Sequence, residues 1–177
     1  DINNALVVFN IRDLEDELRP VAMYIVLNYI WNKTKADQRK RILIVDEAWQ
    51  LMKYEDSANF LFSLAKRARK YNLGITTITQ DVEDFMGSRM GRAIVANASM
   101  QILLKQSASA VDVLAQTFKL TSEEKKRLSQ FPVGQGLFFA GQSHVHVQIE
   151  ASETEKQLIT TNPQASSQAA QALPIRA

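Results

Sequence analysis

The chain has no cysteine, which removes disulfide staples and thiolate metal sites and fits a reducing compartment. It has no apolar run of membrane-spanning length. The longest, residues 21–27, includes Tyr24 and falls far short of the roughly 20 residues a spanning helix needs. No secretory leader opens the sequence. A strand-like run begins almost at once, a start that suggests a piece of a longer protein. Neither sign of charge dominates: 21 Lys and Arg against 19 Asp and Glu give a net +2, so nothing in the balance demands nucleic acid or an acidic membrane. The two histidines, His144 and His146, have no third ligand nearby, so a metal site built on them is not expected. Finally, no Gly-x-x-x-x-Gly-Lys-Ser/Thr occurs. The loop that cradles phosphates is missing, and tight nucleotide binding by this chain alone is not expected.

What is present suffices for one domain: 177 residues, 46% of them hydrophobic, can bury a sizeable core. The organising stretch is Arg41-Ile42-Leu43-Ile44-Val45-Asp46-Glu47-Ala48-Trp49. A short apolar run without polar alternation reads as a strand buried on both faces, as in a parallel sheet covered by helices. Carboxylates at the carboxyl end of such a strand lie where open α/β sheets place their ligands. An Asp there can hold hydrated Mg²⁺, and the adjacent Glu can polarise an attacking water. This is the Walker B pattern of P-loop ATPases with a catalytic Glu. The same residues also suit a plainer role, an acidic strand end that caps the next helix.

Along the chain, Asn4-Ala5-Leu6-Val7-Val8-Phe9-Asn10-Ile11 reads as a first buried strand. The acids Asp13, Glu15, Asp16 and Glu17 suit a helix entrance. Leu18, Ala22, Ile25, Val26, Tyr29 and Ile30 recur at helical spacing and predict the inward face of an amphipathic helix, with Pro20 in its first turn. A basic loop leads to the strand at residues 42–45. Asp56 or Ser57 can cap a helix to about Tyr71, ended by Asn72 and Gly74. The β-branched run Ile75-Thr76-Thr77-Ile78-Thr79-Gln80 is a further strand. A short helical stretch around residues 82–86 precedes a Gly-broken segment at 87–97. Residues 100–105 form another strand, and two helices follow, at 110–118 and from Thr121-Ser122-Glu123-Glu124, a capping box. Residues 135–140 and 144–150 then make a hairpin with Val145, Val147 and Ile149 on one face and the histidines on the wetter one. The tail from Pro163, rich in Gln, Ala and Ser, reads as mobile or weakly helical. The alternation of strands and helices gives an α/β sandwich with a mainly parallel sheet and a C-terminal β-hairpin.

Gln80 ends its strand as Asp46 and Glu47 end theirs. Neighbouring parallel strands deliver such residues to one edge, so the three side chains can converge. An amide beside two acids can orient water or touch a terminal phosphate without cancelling charge needed for a cation. It can equally cap the next helix. Arg67, Arg69 and Lys70 sit at a helix end where cations complement the dipole. One arginine of the set Arg67, Arg69, Arg89 and Arg92 is a candidate arginine finger, reaching a phosphoryl group across a subunit boundary.

Several stretches resemble the large conjugative ATPase of type IV secretion systems. They are Leu6-Val7-Val8-Phe9-Asn10-Ile11-Arg12-Asp13-Leu14-Glu15-Asp16-Glu17, Ile44-Val45-Asp46-Glu47-Ala48-Trp49, Ala68-Arg69-Lys70-Tyr71-Asn72, Thr79-Gln80-Asp81-Val82-Glu83-Asp84-Phe85, Gly136-Leu137-Phe138-Phe139 and Leu158-Ile159-Thr160-Thr161-Asn162-Pro163. The resemblance runs over about residues 5–163. It implies part of a RecA-like P-loop NTPase domain at residues 1–162, from Walker B onward and without the Walker A strand and loop, followed by a tail at 163–177.

In that family ATP hydrolysis drives apparatus assembly and substrate transfer at the cytoplasmic face of the membrane. By the same resemblance Asp46 binds Mg²⁺ through water, Glu47 activates the hydrolytic water, Gln80 senses the γ-phosphate and Arg69 acts in trans. The implied ligands are ATP and Mg²⁺. The implied partners are other copies, in a hexamer, and secretion components, with DNA a possible substrate. A DNA translocase or conjugative coupling protein shares the acidic pair and the terminal Gln, and a non-enzymatic α/β interaction domain is the reading of a different class. Without the Walker A strand the sheet has unpaired edges, and the expectation is that it closes directly or borrows a strand from another copy.

Overall fold

A computed structural model describes residues 4–11, 13–37, 39–141 and 143–159. The expected tail from Pro163, and residues 160–163 of the terminal motif, lie outside the described residues.

Helix α1 (Arg19–Ala36) leads to strand β1 (Arg41–Val45), a 3-10 helix (Ala48–Lys53) and α2 (Glu55–Ala68), which ends in a 3-10 turn (Arg69–Tyr71). Strand β2 (Leu73–Thr77) then pairs parallel with β1, with Leu43 opposite Ile75 and Val45 opposite Thr77. Helices α3 (Val82–Gly87) and α4 (Arg89–Asn97) follow, then β3 (Met100–Leu104), α5 (Ala108–Phe118) and α6 (Ser122–Gln130). The hairpin of β4 (Gln135–Ala140) and β5 (Ser143–Gln148) precedes α7 (Glu153–Ile159). β3 pairs antiparallel with β4, and β4 with β5. The parallel pair and the antiparallel trio remain separate sheets. Among the described residues the sheet is therefore not closed directly between β2 and β3, contrary to one of the two expectations for its edges.

The helices keep the chemistry of their ends. Asn72 takes the left-handed conformation, φ 55°, that ends the α2 region, which a short polar side chain tolerates. Gly74 lies within β2 instead. Thr121 and Glu124 form the expected capping box. Neither Asp56 nor Ser57 caps α2. Asp56 sits in its first turn beside Glu55, where negative charge is favourable, and Ser57 Oγ donates to the carbonyls of Leu51 and Tyr54 at 2.5 and 2.9 Å. The segment read as Gly-broken contains helix α4, whose cap is Ser88, accepting from the N–H groups of Met90 and Gly91.

Four further expectations are corrected. Residues 4–11 form no strand, and Leu6 and Val8 are exposed, because a lone extended segment has no ladder to join. Helix α1 turns a different face inward, with Pro20, Met23, Leu27, Trp31 and Thr34 buried and Leu18, Ile25 and Tyr29 exposed. Strand β1 buries one face only: Ile42 is 77% exposed and Ile44 62%. In the hairpin, the histidines are the side that meets aromatics. His144 stacks on Phe139 and His146 packs on Phe131, each with centroids 4.7 Å apart, while Val145 and Ile149 are open.

The core lies on the other side of these sheets. Leu51, Leu61, Leu64 and Leu128 are fully buried, joined by Val45, Phe85, Leu103, Leu114, Leu137 and Phe139. Trp31 anchors α1 against Tyr71, centroids 4.9 Å apart and edge to face, a geometry that adds about 0.5–1.5 kcal/mol to the area buried. The 3-10 helix after β1 is wedged into this core through Ala48 and Leu51, both 0% exposed. That wedge fixes where the acidic strand end points.

Candidate functional site

Because β1 and β2 run parallel, their carboxyl ends share one rim. Beyond Val45 the backbone contact continues: Ile78 N–H donates to the Val45 carbonyl and Ala48 N–H to the Ile78 carbonyl, both at 2.9 Å. The chain between, Asp46 and Glu47, is thereby stitched over the end of β2. Glu47 makes the reversal in the left-handed region, φ 50° and ψ 42°, at a cost of about 1–2 kcal/mol for a residue with a Cβ. Its own N–H donates to Asp46 Oδ1 at 2.9 Å. Buried Ala48 and Leu51 hold the turn in place.

The carboxylate of half-buried Glu47 is gripped on both oxygens. Trp49 Nε1–H donates to Oε2 at 2.6 Å, and Gln80 Nε2–H donates to Oε1 at 2.5 Å. Hydrogen bonds to an ionised acceptor are shorter and roughly twice as strong as neutral ones. Gln80 is itself set by its flanks. Thr79 Oγ1 donates to the Asp81 carbonyl at 3.0 Å, and Asp81 Oδ1 caps α3 by accepting from the Asp84 N–H at 3.0 Å. Trp49 carries the Lys53 ammonium 4.7 Å above its ring. An open cleft of about 390 Å³ runs from Trp49 and Gln80 past Asp81 to Ser107 and Ala110 at the start of α5.

Asp46 is exposed at the same rim. A hard carboxylate oxygen in that position fits a small cation that keeps its waters and takes one or two protein carboxylates. Asp46, Glu47 and Gln80 thus occupy one rim, with Glu47 and Gln80 in direct contact.

The arginines fall elsewhere. Arg69 is exposed in the 3-10 turn before β2, where Arg41 N–H meets the Asn72 carbonyl at 3.0 Å. It therefore lies at the amino ends of both strands, roughly 16 Å from the acidic rim at about 3.3 Å per residue, and cannot reach the Glu47 of its own chain. Arg67 donates to the Ser63 carbonyl and covers the Trp31 ring. Arg92 is tied to the carbonyls of Met86 and Gly87 at 2.7 and 3.0 Å. Arg89 is exposed at the first residue of α4. The residue that sequence reasoning left without a role is Trp49. Its signal was a lone indole two positions after an acid at a strand end, too short a pattern to interpret without the turn that brings them together.

Comparison with known proteins agrees with this architecture. The TraG P-loop domain family profile matches residues 2–162. The chain is 32% identical to protein TraC of Escherichia coli K12 over 112 residues, 58% of this chain and 13% of that protein. It is 39% identical to the DNA import protein CedB of Sulfolobus acidocaldarius over 72 residues, 39% of this chain and 12% of that protein. It is 27% identical to the type IV secretion system protein virB4 of Bartonella quintana over 115 residues, 63% of this chain and 14% of that protein. The chain thus matches between 12% and 14% of the length of these relatives. The solved structure of VirB4 from Thermoanaerobacter pseudethanolicus superposes with a TM-score of 0.75 at 33% identity, covering 81% of this chain and 40% of that one. With an α/β architecture, an acidic parallel-strand rim and this set of relatives, the chain belongs to the TraG P-loop domain family and has a RecA-like P-loop fold.

Proposed function

We propose that the chain is the Walker B portion of an ATPase of a type IV secretion or conjugation apparatus, which couples ATP hydrolysis to apparatus assembly and substrate transfer. The observation that carries this reading is the direct contact of Glu47 with Gln80 across the ends of two parallel strands. In it Glu47 is the general base that takes a proton from the attacking water. Gln80 reads the terminal phosphate, and Asp46 holds Mg²⁺ through its waters. The cation, when bound, neutralises charge on the phosphates.

The phosphate-cradling loop belongs to sequence this chain does not contain, so the chain by itself is expected to turn over no ATP. Residues 1–162 are then a partial domain, a division supported by the family match ending at residue 162, and residues 163–177 a tail.

Arg69, placed at the opposite rim, is suited only to the site of another copy. That geometry favours an assembly of repeated subunits, in this family reading a hexamer with secretion components as further partners. Among the described residues no helix is long and apolar enough to cross a membrane. The proposed location is peripheral, at the cytoplasmic face. The match to a DNA import protein keeps DNA as a possible substrate, and a steep fall of DNA affinity with salt would identify direct phosphate contacts.

The test is ATP turnover in the protein that carries this chain together with its phosphate-binding loop. Glu47→Gln is expected to lower kcat by about 10²–10⁴-fold while ATP binding persists. Unchanged turnover in that variant would refute the assignment.

A further inference from the structure

The indole of Trp49 has no part in the reading above, yet it holds one oxygen of the carboxylate on which that reading turns. Glu47 sits in an unfavourable backbone conformation, φ 50°, with no side-chain cap at the helix it opens. Its carboxylate is instead aimed by two neutral donors from two different elements. They differ in how firmly they are held. Trp49 is half-buried, packed against the core and covered by Lys53. Gln80 is exposed on the loop between β2 and α3.

We propose that the two donors form an asymmetric clamp, in which Trp49 is the permanent positioning residue for Glu47 and Gln80 is the arm that lets go. The proposal rests on the ATPase reading. In the resting state each carboxylate oxygen takes one of these hydrogen bonds, so at Oε1 a water competes with the Gln80 amide. When the terminal phosphate of a nucleoside triphosphate reaches the rim, the Gln80 N–H turns its hydrogen bond to a phosphate oxygen, likewise an ionised acceptor. Oε1 is then left to the attacking water, and Trp49 keeps Oε2, so the carboxylate does not swing. The water oxygen bonds to the γ-phosphorus, its proton passes to Glu47 Oε1, and the bond from the γ-phosphorus to the bridging oxygen breaks. The nucleoside diphosphate leaves with that electron pair. The substrate itself thus clears the amide from the base, while the indole holds the base in place.

Two measurements test this. The first is kinetic, in the protein carrying this chain with its phosphate-binding loop. Trp49→Phe keeps an aromatic ring and removes the N–H. It is expected to lower kcat about tenfold or more, since small misplacements of a catalytic group cost up to about 10²-fold. KM should stay within about twofold, the pattern of an interaction that acts in the transition state. The second needs no turnover. The 177-residue chain has two tryptophans, so its ¹H–¹⁵N spectrum carries two indole signals. Glu47→Ala is expected to move the Trp49 signal and speed its exchange with water, leaving that of Trp31 in place.

An unmoved Trp49 signal in Glu47→Ala overturns the clamp, and that spectrum decides the matter even if Trp49→Phe folds poorly. A Trp49→Phe protein with normal kcat, alongside a dead Glu47→Gln protein, also overturns the clamp but leaves the ATPase reading standing. Normal turnover in Glu47→Gln defeats the ATPase reading and the clamp with it.

Discussion

Gly91 faces the carbonyl of Phe85 so closely that a Cβ built on it would stand 1.9 Å from that oxygen. The contact sets the sharp junction between α3 and α4, which Ser88 and Arg92 also hold. Gly91→Ala should therefore destabilise the chain by about 1–3 kcal/mol, despite the gain of up to about 1 kcal/mol that alanine brings to a helix interior. Urea denaturation measures the sign directly.

Glu124 ties the start of α6 to the hairpin. Hydrogen bonds from Thr121, backbone first, hold its carboxyl below the ordinary glutamate range against the opposing effect of burial, and His144 at 2.5 Å adds to the lowering. A carboxyl depressed on folding contributes stability above its unfolded value, about 4.3, and loses it as pH falls through the lower folded value. Stability should decline as pH drops below about 5, and Glu124→Gln should flatten that decline. Glu155, held low by the hydroxyl and backbone N–H of Ser152, leaves part of it in place. Denaturation midpoints between about pH 3 and 6 test this.

Thr34 is 0% exposed in α1 and its hydroxyl has no partner among the described residues. Thr34→Val keeps the branched shape and removes the unsatisfied oxygen. An increase in stability of about 1 kcal/mol is expected, read as a higher thermal midpoint.

Ile42 lies open on β1, opposite Gly74. Ile42→Thr, another β-branched residue, should change the stability of this chain by no more than about 0.5 kcal/mol. A strand enclosed on both faces would lose far more, on the order of the 1.5–3 kcal/mol that burial of such a side chain supplies. Calorimetry on the pair of proteins decides.

These cases also mark how far the residues alone could be read. The run at 42–45 declared its strand, and the β-branched run at 75–80 announced a second one that lies at Leu73–Thr77 instead, starting before Gly74 and ending before Ile78. Their parallel pairing followed from the helix between them. The rim of Asp46, Glu47 and Gln80 was legible because polar residues follow both strands, Asp46 directly after β1 and Gln80 a short loop beyond β2. Helix α1 was not, because apolar residues lie on every side of it, and the 3.6-residue period then cannot choose between the Met23–Leu27–Trp31 face and the Ile25–Tyr29 face. α4 was missed because Gly91 reads as a breaker; Ser88 followed by Met90 and Ile94 was the signal that outweighed it. Residues 4–11 have strand composition and no strand, since pairing is supplied by neighbours and not by propensity. Trp49 stood in plain view two positions from Glu47, but only a left-handed backbone at Glu47 folds the indole back onto its acid.

The parallel pairing of β1 with β2 has one more consequence. It gives the molecule a front, where the acids gather, and a back, where Arg69 projects. Two copies related by a twofold axis through either side would set like against like, acids to acids or guanidinium to guanidinium. In a procession of copies, each back against the next front, the Arg69 of the proposal above meets a foreign Glu47. Such heterologous contacts close into rings or run on as filaments. A polarity settled by two short strands thus suits the proposed shared site to head-to-tail assembly.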